Sequence, residues 1–331
     1  MSKTILITGA NGFLGSSITK IALKKKYKVK VLVRKKSDLV NLTNLKVEIC
    51  YGDLRDIDSL KGPVDKCDVI FHVAADYRLW AKRKTEIYES NVFGTENLLK
   101  TACSIKNLKF IHTSSVATLG LKRDGVSNEN TQVSFSDMIG DYKKSKFISE
   151  QIFLDYVRNK KLDGLVVNPS TPIGPGDIKP TPTGRIILQT LLKKMPAYVD
   201  TGLNIVHVDD VALGHFLALD KGKVGEKYIL GGENLLLKDF LEIIAEISNI
   251  SPPKFNINTK PLYFFAYLNE FIAKLIRSYD PMLTIDGLRM SEKKMFFSSE
   301  KAKKNLGYRP RNVKNAIKDS VNWMKENFIK T

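Results

Sequence analysis

The chain has 331 residues, of which 43% are hydrophobic, and it carries a formal net charge of +18. This length allows one large core with a smaller companion lobe, and no stretch approaches the roughly 18 uninterrupted apolar residues that cross a membrane. The first residues enter a strand pattern at once and lack a charged-then-apolar signal, so we expect a cytoplasmic protein. The excess lysine is scattered without interleaved aromatic residues, which indicates a solvated surface and no nucleic-acid partner.

The three cysteines, Cys50, Cys67 and Cys103, are far apart and lack the spacing of metal ligands. Each falls in or beside an apolar segment, where a buried free thiol is ordinary. We therefore expect neither a metal site nor a disulfide framework.

Apolar runs rich in β-branched residues alternate with longer segments of helical period along the first half of the chain. This alternation is typical of strand–helix–strand units in a doubly wound parallel α/β sheet. The predicted strands are residues 4–9, 28–34, 46–53, 69–75, 109–115 and 164–170, and the predicted crossover helices are residues 12–26, 85–106 and 140–160.

This rhythm changes after residue 170, where loops containing Pro and Gly lead into short helices and brief strands. We expect a first domain over residues 1–170, completed by part of 200–235. Residues 171–331 mainly form a smaller C-terminal α/β lobe that binds the substrate.

The first predicted strand runs into TGANGFLG, which places Gly9, Gly12 and Gly15 where a strand turns into a helix. Glycine at these positions allows the tight turn, the close approach of backbone to a pyrophosphate and the packing of the helix, whose N-terminus attracts the phosphates. The pattern predicts an NAD(P)-binding Rossmann fold. The turn residues expected around the cofactor are Gly9, Asn11, Gly12, Phe13, Leu14 and Gly15.

Arg34 ends the second predicted strand, where an NAD-selective site usually has a carboxylate for the ribose 2′-hydroxyl. A cation there pairs instead with a 2′-phosphate, and Lys35 strengthens the positive field. NADP(H) is therefore favoured over NAD(H), although Arg34 could also be a solvent-facing residue at a strand end. Asp53 and Leu54 follow the third strand and are expected near the adenine, while capping of the next helix is the alternative for Asp53.

Tyr142 and Lys146 are four residues apart in a predicted helix and so share one of its faces. A free tyrosine has a pKa of about 10, and a neighbouring ammonium favours the phenolate, so the pair suits proton transfer near neutral pH. Tyr156 and Lys160 repeat the spacing, but Tyr156 lies roughly 20 Å further along the helix, away from the strand ends where ligands bind.

Ser115 closes the fifth predicted strand, at the edge where a substrate carbonyl would lie. Its hydroxyl can hydrogen-bond the oxygen that gains negative charge as hydride arrives. The alternative is that the serine only satisfies loop backbone. Asn91 is expected to anchor neighbouring backbone rather than to donate a proton.

Several segments together resemble the extended short-chain dehydrogenase/reductases, and the resemblance covers nearly the whole chain. They are TGANGFLG, TSS, YKKSK, NVFGTENLL and LVVNPSTPIGP. Finer segments resemble the bacterial hopanoid-associated sugar epimerase group, a close relative of dihydroflavonol 4-reductases: HVAADYRLWA, TSSVATLGL, DIKPTPTGRII, MPAYVDTGLN and MFFSSEKAKKNLGYRP.

The resemblance implies a two-lobed enzyme with Ser115, Tyr142 and Lys146 as its catalytic set. It also implies a homodimer that pairs through the two long crossover helices. The cofactor-binding residues that it adds to the glycine turn, Arg34 and Asp53 are Ala74, Ala75, Thr113, Tyr142, Lys146, Pro169, Ser170 and Thr171.

One position departs from the pattern of nucleotide-sugar epimerases, which typically carry an Arg shortly before His-Val-Asp-Asp. Here Leu-Asn-Ile-Val precedes His207, and only Arg185, Arg289 or Lys294 could supply the missing cation. We therefore expect a reductase acting on a small carbonyl, polyol or sugar. An epimerase or dehydratase, a non-catalytic NADP(H)-binding regulator and an RNA-binding protein are the alternatives.

Candidate substrate contacts come from the loop after the fourth strand, from the fifth and sixth strands, and from the segment beyond them. They are Tyr77, Arg78, Trp80, Ser115, Asn168 and Arg185. Residues 261–277 form an aromatic stretch at roughly helical spacing, which in most proteins is core. The alternatives for this stretch are an apolar lid over the substrate or a surface that rests peripherally on a membrane.

Overall fold

The computed structural model describes residues 2–276, 279, 281 and 283–329. The strands are β1 (Thr4–Thr8), β2 (Lys28–Val33), β3 (Glu48–Tyr51), β4 (Val69–His72), β5 (Lys109–Thr113), β6 (Asp163–Pro169), β7 (Thr171–Ile173), β8 (Ala197–Tyr198), β9 (Gly202–His207), β10 (Lys227–Leu230), β11 (Glu233–Leu236), β12 (Phe255–Asn256) and β13 (Lys294–Met295).

The helices are α1 (Phe13–Lys24), α2 (Lys61–Val64), α3 (Thr85–Tyr88), α4 (Gly94–Ala102), α5 (Gly140–Arg158), α6 (Pro182–Leu191), α7 (Val208–Lys221), α8 (Leu237–Ser248), α9 (Thr259–Leu275), α10 (Ile285–Ser291), α11 (Glu300–Leu306) and α12 (Val313–Phe328). None of the helices in the described ranges has the length and apolar content needed to cross a bilayer.

Within the described residues, a seven-stranded parallel sheet has the order β10-β6-β5-β4-β1-β2-β3. Helices α1 and α7 share a buried apolar cluster with one of its faces, and α4 and α5 share another with the opposite face. The near-continuous apolar strands form this sheet because both faces are covered. The predicted doubly wound α/β fold is confirmed.

The long crossover predicted for residues 85–106 is a helix with an interruption. A π-helical turn, Glu89–Phe93, separates α3 from α4. Within that turn, the Asn91 side chain is 2% exposed and bonds both backbone groups of Asp76 and the Ser145 hydroxyl. Asn91 thus anchors backbone, as predicted, and joins the crossover to the loop after β4.

The C-terminal part of the chain builds a second core beside the carboxyl edge of the large sheet. Strand β9 pairs with β7, β11 and β13, while α6, α8 and α12 enclose an apolar cluster against it. Strand β10 returns to the large sheet next to β6. The loops between the two sheets therefore meet the carboxyl ends of β1, β4, β5 and β6, where ligands bind in such folds.

The expectation that the aromatic stretch of residues 261–277 is core is wrong for its described part. Helix α9 exposes its aromatic and large aliphatic side chains, with Phe264 at 71% and Tyr267 at 68%, and its buried residues are Ala266 and Ala273. Residue Arg277, the last of the stretch, lies outside the described residues.

Candidate active site

The glycine turn after β1 takes a shape that side chains would prevent. Gly9 has a φ of +69°, and a Cβ on it would lie 2.7 Å from the Ala74 Cα. A Cβ on Gly15 would lie 2.1 Å from the Gly9 carbonyl oxygen. The start of α1 is thus held against the loop, and the first-turn N–H groups of Phe13 and Leu14 have no acceptor within the helix.

The side chains of Thr8 and Asn41 hold this turn in place. The Thr8 hydroxyl accepts from the backbone N–H groups of Val73 and Ala74, each at 3.1 Å. The Asn41 amide donates to the carbonyl oxygens of Asn11 and Gly176, at 3.3 and 3.1 Å. Asn41 thus joins the glycine turn to the loop after β7. No motif marks this residue in the sequence, because it lies in a loop.

The carboxyl ends of β2 and β3 carry the charges predicted for the adenosine end of the cofactor. Arg34 and Lys35 are exposed directly after β2. Asp53 follows β3 and accepts two hydrogen bonds from the Arg55 guanidinium, at 2.6 and 3.0 Å. The Arg55 hydrogen bonds lower the pKa of the Asp53 carboxyl, and Arg34 adds a smaller effect of the same sign. The sequence pattern did not predict Arg55, because this residue lies in the loop beyond the end of β3. Leu54 is fixed here because its carbonyl accepts from Asn97, at 2.9 Å.

Ser115 and Tyr142 are brought together at the carboxyl end of β5. The Ser115 hydroxyl caps the short helical turn that follows, by accepting from the Ala117 N–H at 3.1 Å. Burial raises the pKa of the Tyr142 phenol, and a hydrogen bond with Ser115 opposes that rise. Ser115 therefore satisfies loop backbone and also faces the phenol, and its predicted hydrogen bond to a substrate oxygen stays a prediction.

Lys146 lies one turn along α5 and is 3% exposed. Its ammonium donates to the Thr113 carbonyl oxygen at 2.8 Å. Burial lowers the pKa of Lys146 to about 8, while Glu150 acts in the opposite direction. The Tyr142 pKa is lowered by the hydrogen bond with Ser115. The direct lowering by the Lys146 ammonium that the sequence predicts is not seen.

A buried network supports the Ser115 loop from behind. Asn168 is fully buried, and its amide donates to the Ser115 carbonyl oxygen and to the Glu150 carboxylate, each at 3.0 Å. Glu150 also accepts from Thr118 and from Lys227. The Asn168 amide nitrogen therefore supports the loop, whereas its Oδ1 atom has no hydrogen-bond partner among the described residues, and the predicted substrate contact of Asn168 stays a prediction.

The segment that leaves β6 offers an unused polar group. The Ser170 hydroxyl oxygen is buried and has no hydrogen-bond partner within the described part of the chain. Pro169 closes β6 and Thr171 opens β7. Thr113, on the neighbouring strand, directs its hydroxyl to His215 at 3.0 Å and its carbonyl to Lys146. Together with the open glycine turn, the unpartnered Ser170 hydroxyl fits a bound dinucleotide.

A second cluster forms the side of the site toward the C-terminal lobe. Tyr77 is 44% exposed, and its pKa is raised by burial and by Asp177 and lowered by Arg185, which places these three groups close together. Asp177 is 3% exposed, accepts from the Thr181 backbone and hydroxyl, and has its pKa raised by burial to about 6. Asp177 was missed because no sequence motif marks a buried carboxylate in a loop.

Trp80 and Arg78 are the remaining candidate substrate contacts after β4. Trp80 is half-buried and follows Tyr77 by three residues in the sequence. The Arg78 guanidinium bonds Asp76 and Glu86, and its predicted place beside the substrate stays a prediction.

The position that carries Arg in nucleotide-sugar epimerases is occupied by a structural residue. Asn204 is fully buried and bonds Gly232, Asn234 and Phe297, so it ties β9 to its neighbours. Of the cations that could replace the Arg, Arg289 pairs with Asp286 and Lys294 with Asp200, both at 3.5 Å. Among the described residues, no cluster of three or more His, Cys, Asp or Glu could hold a metal ion.

The parallel sheet and its glycine turn, with Ser115, Tyr142 and Lys146 at the strand ends, define an NAD(P)-dependent enzyme of the extended short-chain dehydrogenase/reductase type. The model of the NAD dependent epimerase/dehydratase family matches residues 5–231, and the chain belongs to this family.

Full-length relatives agree with this assignment. A dihydroflavonol 4-reductase-like protein of Synechocystis is 42% identical, with 100% of this chain and 97% of that protein covered. Sterol demethylase protein B of Methylococcus capsulatus is 31% identical, with 98% of each chain covered. The crystal structure of gox2253 is 46% identical and superposes with a TM-score of 0.88 over 100% of both chains. The predicted family resemblance is confirmed.

Proposed function

We propose that the protein transfers hydride reversibly between NADP(H) and a carbonyl or alcohol carbon, as a dihydroflavonol 4-reductase-like enzyme. The observation that carries this proposal is the convergence of the Ser115 hydroxyl and the half-buried Tyr142 phenol, with the Lys146 ammonium fixed one helical turn away. When bound, the nicotinamide cofactor supplies or accepts the hydride.

Tyr142 acts as the general acid in reduction and as the general base in oxidation. Its phenol donates a proton to the substrate oxygen during reduction, and the hydrogen bond from Ser115 stabilises the negative charge that develops on that oxygen. Because burial raises the pKa of Tyr142, the phenol is protonated near neutral pH, which suits the reductive direction. Lys146 binds the nicotinamide ribose and holds positive charge beside the phenol.

The finer features of the proposal follow from the surroundings of this site. The exposed cations Arg34 and Lys35 support NADP(H) over NAD(H), because they can pair with a 2′-phosphate. Tyr77 and Trp80, in the loop after β4, and Arg185, in the C-terminal lobe, face a small carbonyl, polyol or sugar substrate. We further propose a cytoplasmic homodimer, with 1–170 and part of 200–235 as its cofactor domain.

The replacement Tyr142→Phe tests the reaction. Turnover with NADPH and carbonyl substrates should fall by roughly 10²–10⁴-fold, because the general acid is lost. Binding of NADPH, followed by fluorescence titration, should change by less than about threefold, because the ring is kept. Tyr156→Phe on the same helix is the matched control and should retain full turnover. Equal turnover in Tyr142→Phe would overturn the assignment.

A further inference from the structure

Helix α9 has its apolar face turned toward solvent. Phe264 is 71% exposed, and the other large apolar residues of this face follow it at intervals of one, three or four residues. The face consists of Phe264, Tyr267, Leu268, Phe271 and Leu275. The opposite side carries the small residues Ala266 and Ala273, which are buried. We call these five outward residues the α9 face.

Hydrogen bonds on the inner side keep α9 in this orientation. Glu270 accepts from the Ile285 N–H at the start of α10, at 2.8 Å. Tyr263 and Thr259 both donate to Glu292, each at 2.9 Å. The helix is therefore attached through its polar side, and rotating the α9 face inward would break these bonds.

On α9 and in the described segment before it, the exposed charges beside the α9 face have one sign. Lys260 lies four residues before Phe264 and Lys274 three residues after Phe271, and both are exposed. The acidic residue of α9, Glu270, is occupied on the inner side by its bond to α10. The segment before the helix adds the exposed side chains of Lys254, Phe255 and Ile257. An apolar stripe flanked by lysine is the pattern of helices that lie in a membrane interface.

We propose that α9 docks on an anionic lipid bilayer, with the α9 face at the boundary of the acyl chains and Lys260 and Lys274 at the headgroups. The helix lies in the plane of the bilayer, because its 17 residues are too few and too polar to span it. A second copy of the chain fits the face less well, because its lysines would meet the same lysines and each chain carries a net charge of +18.

Helix α9 is linked through α10 to the start of α5, the helix that carries Tyr142. Helix α9 packs on α10. Asp286 and Arg289 of α10 line a cavity of about 480 Å³ together with Gly140, Asp141 and Lys144 at the start of α5. Tyr142 follows Gly140 by two residues on α5 and does not itself line this cavity.

Vesicle flotation of the full chain tests the proposal. Vesicles of phosphatidylcholine with about 30% phosphatidylglycerol should bind the protein, and vesicles of phosphatidylcholine alone should bind at least about tenfold less. The double variant Phe264→Gln/Phe271→Gln should bind the anionic vesicles at least about tenfold less, because it removes apolar contact and keeps the charge. Val224→Gln changes an exposed apolar residue far from α9 and should bind like the wild type.

A charge variant separates docking from general attraction. Lys260→Glu/Lys274→Glu should weaken vesicle binding more than Lys20→Glu/Lys318→Glu, which changes the net charge equally at other exposed positions. Equal binding by the phenylalanine variant, equal loss in both charge variants, or absence of vesicle binding would each overturn the proposal. If Phe264→Gln/Phe271→Gln lost self-association and left vesicle binding unchanged, the proposal would also be overturned. A second copy of the chain would then be the occupant of the α9 face. Binding of NADPH and turnover with a soluble carbonyl, measured without vesicles, report on the proposed function independently.

Discussion

Arg34 is exposed at the carboxyl end of β2, close enough to Asp53 to lower the pKa of its carboxyl. Replacing Arg34 with Asp substitutes an acceptor for the ribose 2′-hydroxyl and repels a 2′-phosphate. We expect Arg34→Asp to shift the ratio of kcat/KM for NADPH over NADH toward NADH by about tenfold or more, which corresponds to the loss of one charge-assisted pair. Steady-state kinetics with both cofactors measure this ratio.

Lys36→Asp is the control for Arg34→Asp, since it makes a change of similar charge two residues further along the exposed loop. It should alter the ratio far less. An unchanged ratio in Arg34→Asp would mean that this guanidinium faces solvent and does not select the cofactor.

Asp177 makes stability depend on pH in a direction opposite to that of a typical paired carboxylate. Burial raises its pKa to about 6 from the usual 3.8, so the native state binds a proton more tightly than the unfolded chain. The resulting stability is fully present below pH 3.8 and is lost as pH rises through about 6. Relative to Asp177→Asn, the wild type should lose on the order of 3 kcal/mol in the free energy of unfolding over this range.

Urea unfolding of both proteins between about pH 4 and about pH 7 measures this difference. Asp124→Asn, which changes an exposed carboxylate, should leave the pH profile of the wild type unchanged. A difference between wild type and Asp177→Asn that is constant with pH would contradict the shifted pKa.

The spacing of Tyr142 and Lys146 predicted one part of the site. Proximity to the carboxyl ends of the strands predicted the other residues that were identified from the sequence. Tyr142 was distinguished from Tyr156 by its distance from the strand ends, and Ser115 by its place after β5. Glu150 could not be predicted, because its partners Asn168 and Lys227 are distant in the sequence. A buried carboxylate is informative only once its neighbours are known.

The junction of β1 with α1 depends on the absence of a side chain at Gly15. A Cβ there would lie 2.1 Å from the Gly9 carbonyl oxygen, so Gly15→Ala must separate the helix from the loop. We expect the Kd for NADPH to rise at least about tenfold and the free energy of unfolding to fall by about 1–3 kcal/mol. Fluorescence titration and urea unfolding measure the two effects.

Gly62→Ala is the matched control for Gly15→Ala, because a Cβ on Gly62 in α2 meets nothing within 4 Å. Cofactor affinity should be unchanged in that variant. If Gly15→Ala bound NADPH as well as the wild type, the close packing of α1 on the glycine turn would not be required for binding.

Helix α9 marks the limit of prediction at the scale of elements. Strand and helix alternation predicted the large sheet because strands buried on both faces are apolar throughout. An amphipathic period, in contrast, predicts that one face of a helix is apolar but not that this face is inside. The orientation of α9 is fixed by contacts that its sequence does not show: burial of Ala266 and Ala273, the bond of Glu270 to α10, and the bonds of Thr259 and Tyr263 to Glu292.

The net charge of +18 affects how whole molecules meet. Two copies repel at long range, and salt weakens that repulsion because the Debye length falls to about 10 Å at 0.1 M ionic strength. A homodimer held by apolar contact should therefore strengthen with salt, whereas association with nucleic acid or an anionic bilayer should weaken. Salt dependence thus separates the proposed dimer from the proposed docking of α9.

Phe93 tests the dimer, because it is 56% exposed in the π-helical turn of the crossover that includes α3 and α4. Phe93→Glu would place a carboxylate in an apolar contact between crossover helices, which is unfavourable without a partner. We expect the wild type to have twice the mass of the chain by light scattering and Phe93→Glu to have the mass of one chain. The dissociation constant of the wild type should fall several-fold between about 0.02 and about 0.3 M salt. Val224→Glu, an equally exposed position outside the crossover, should remain dimeric, and a dimeric Phe93→Glu would place the contact elsewhere on the molecule.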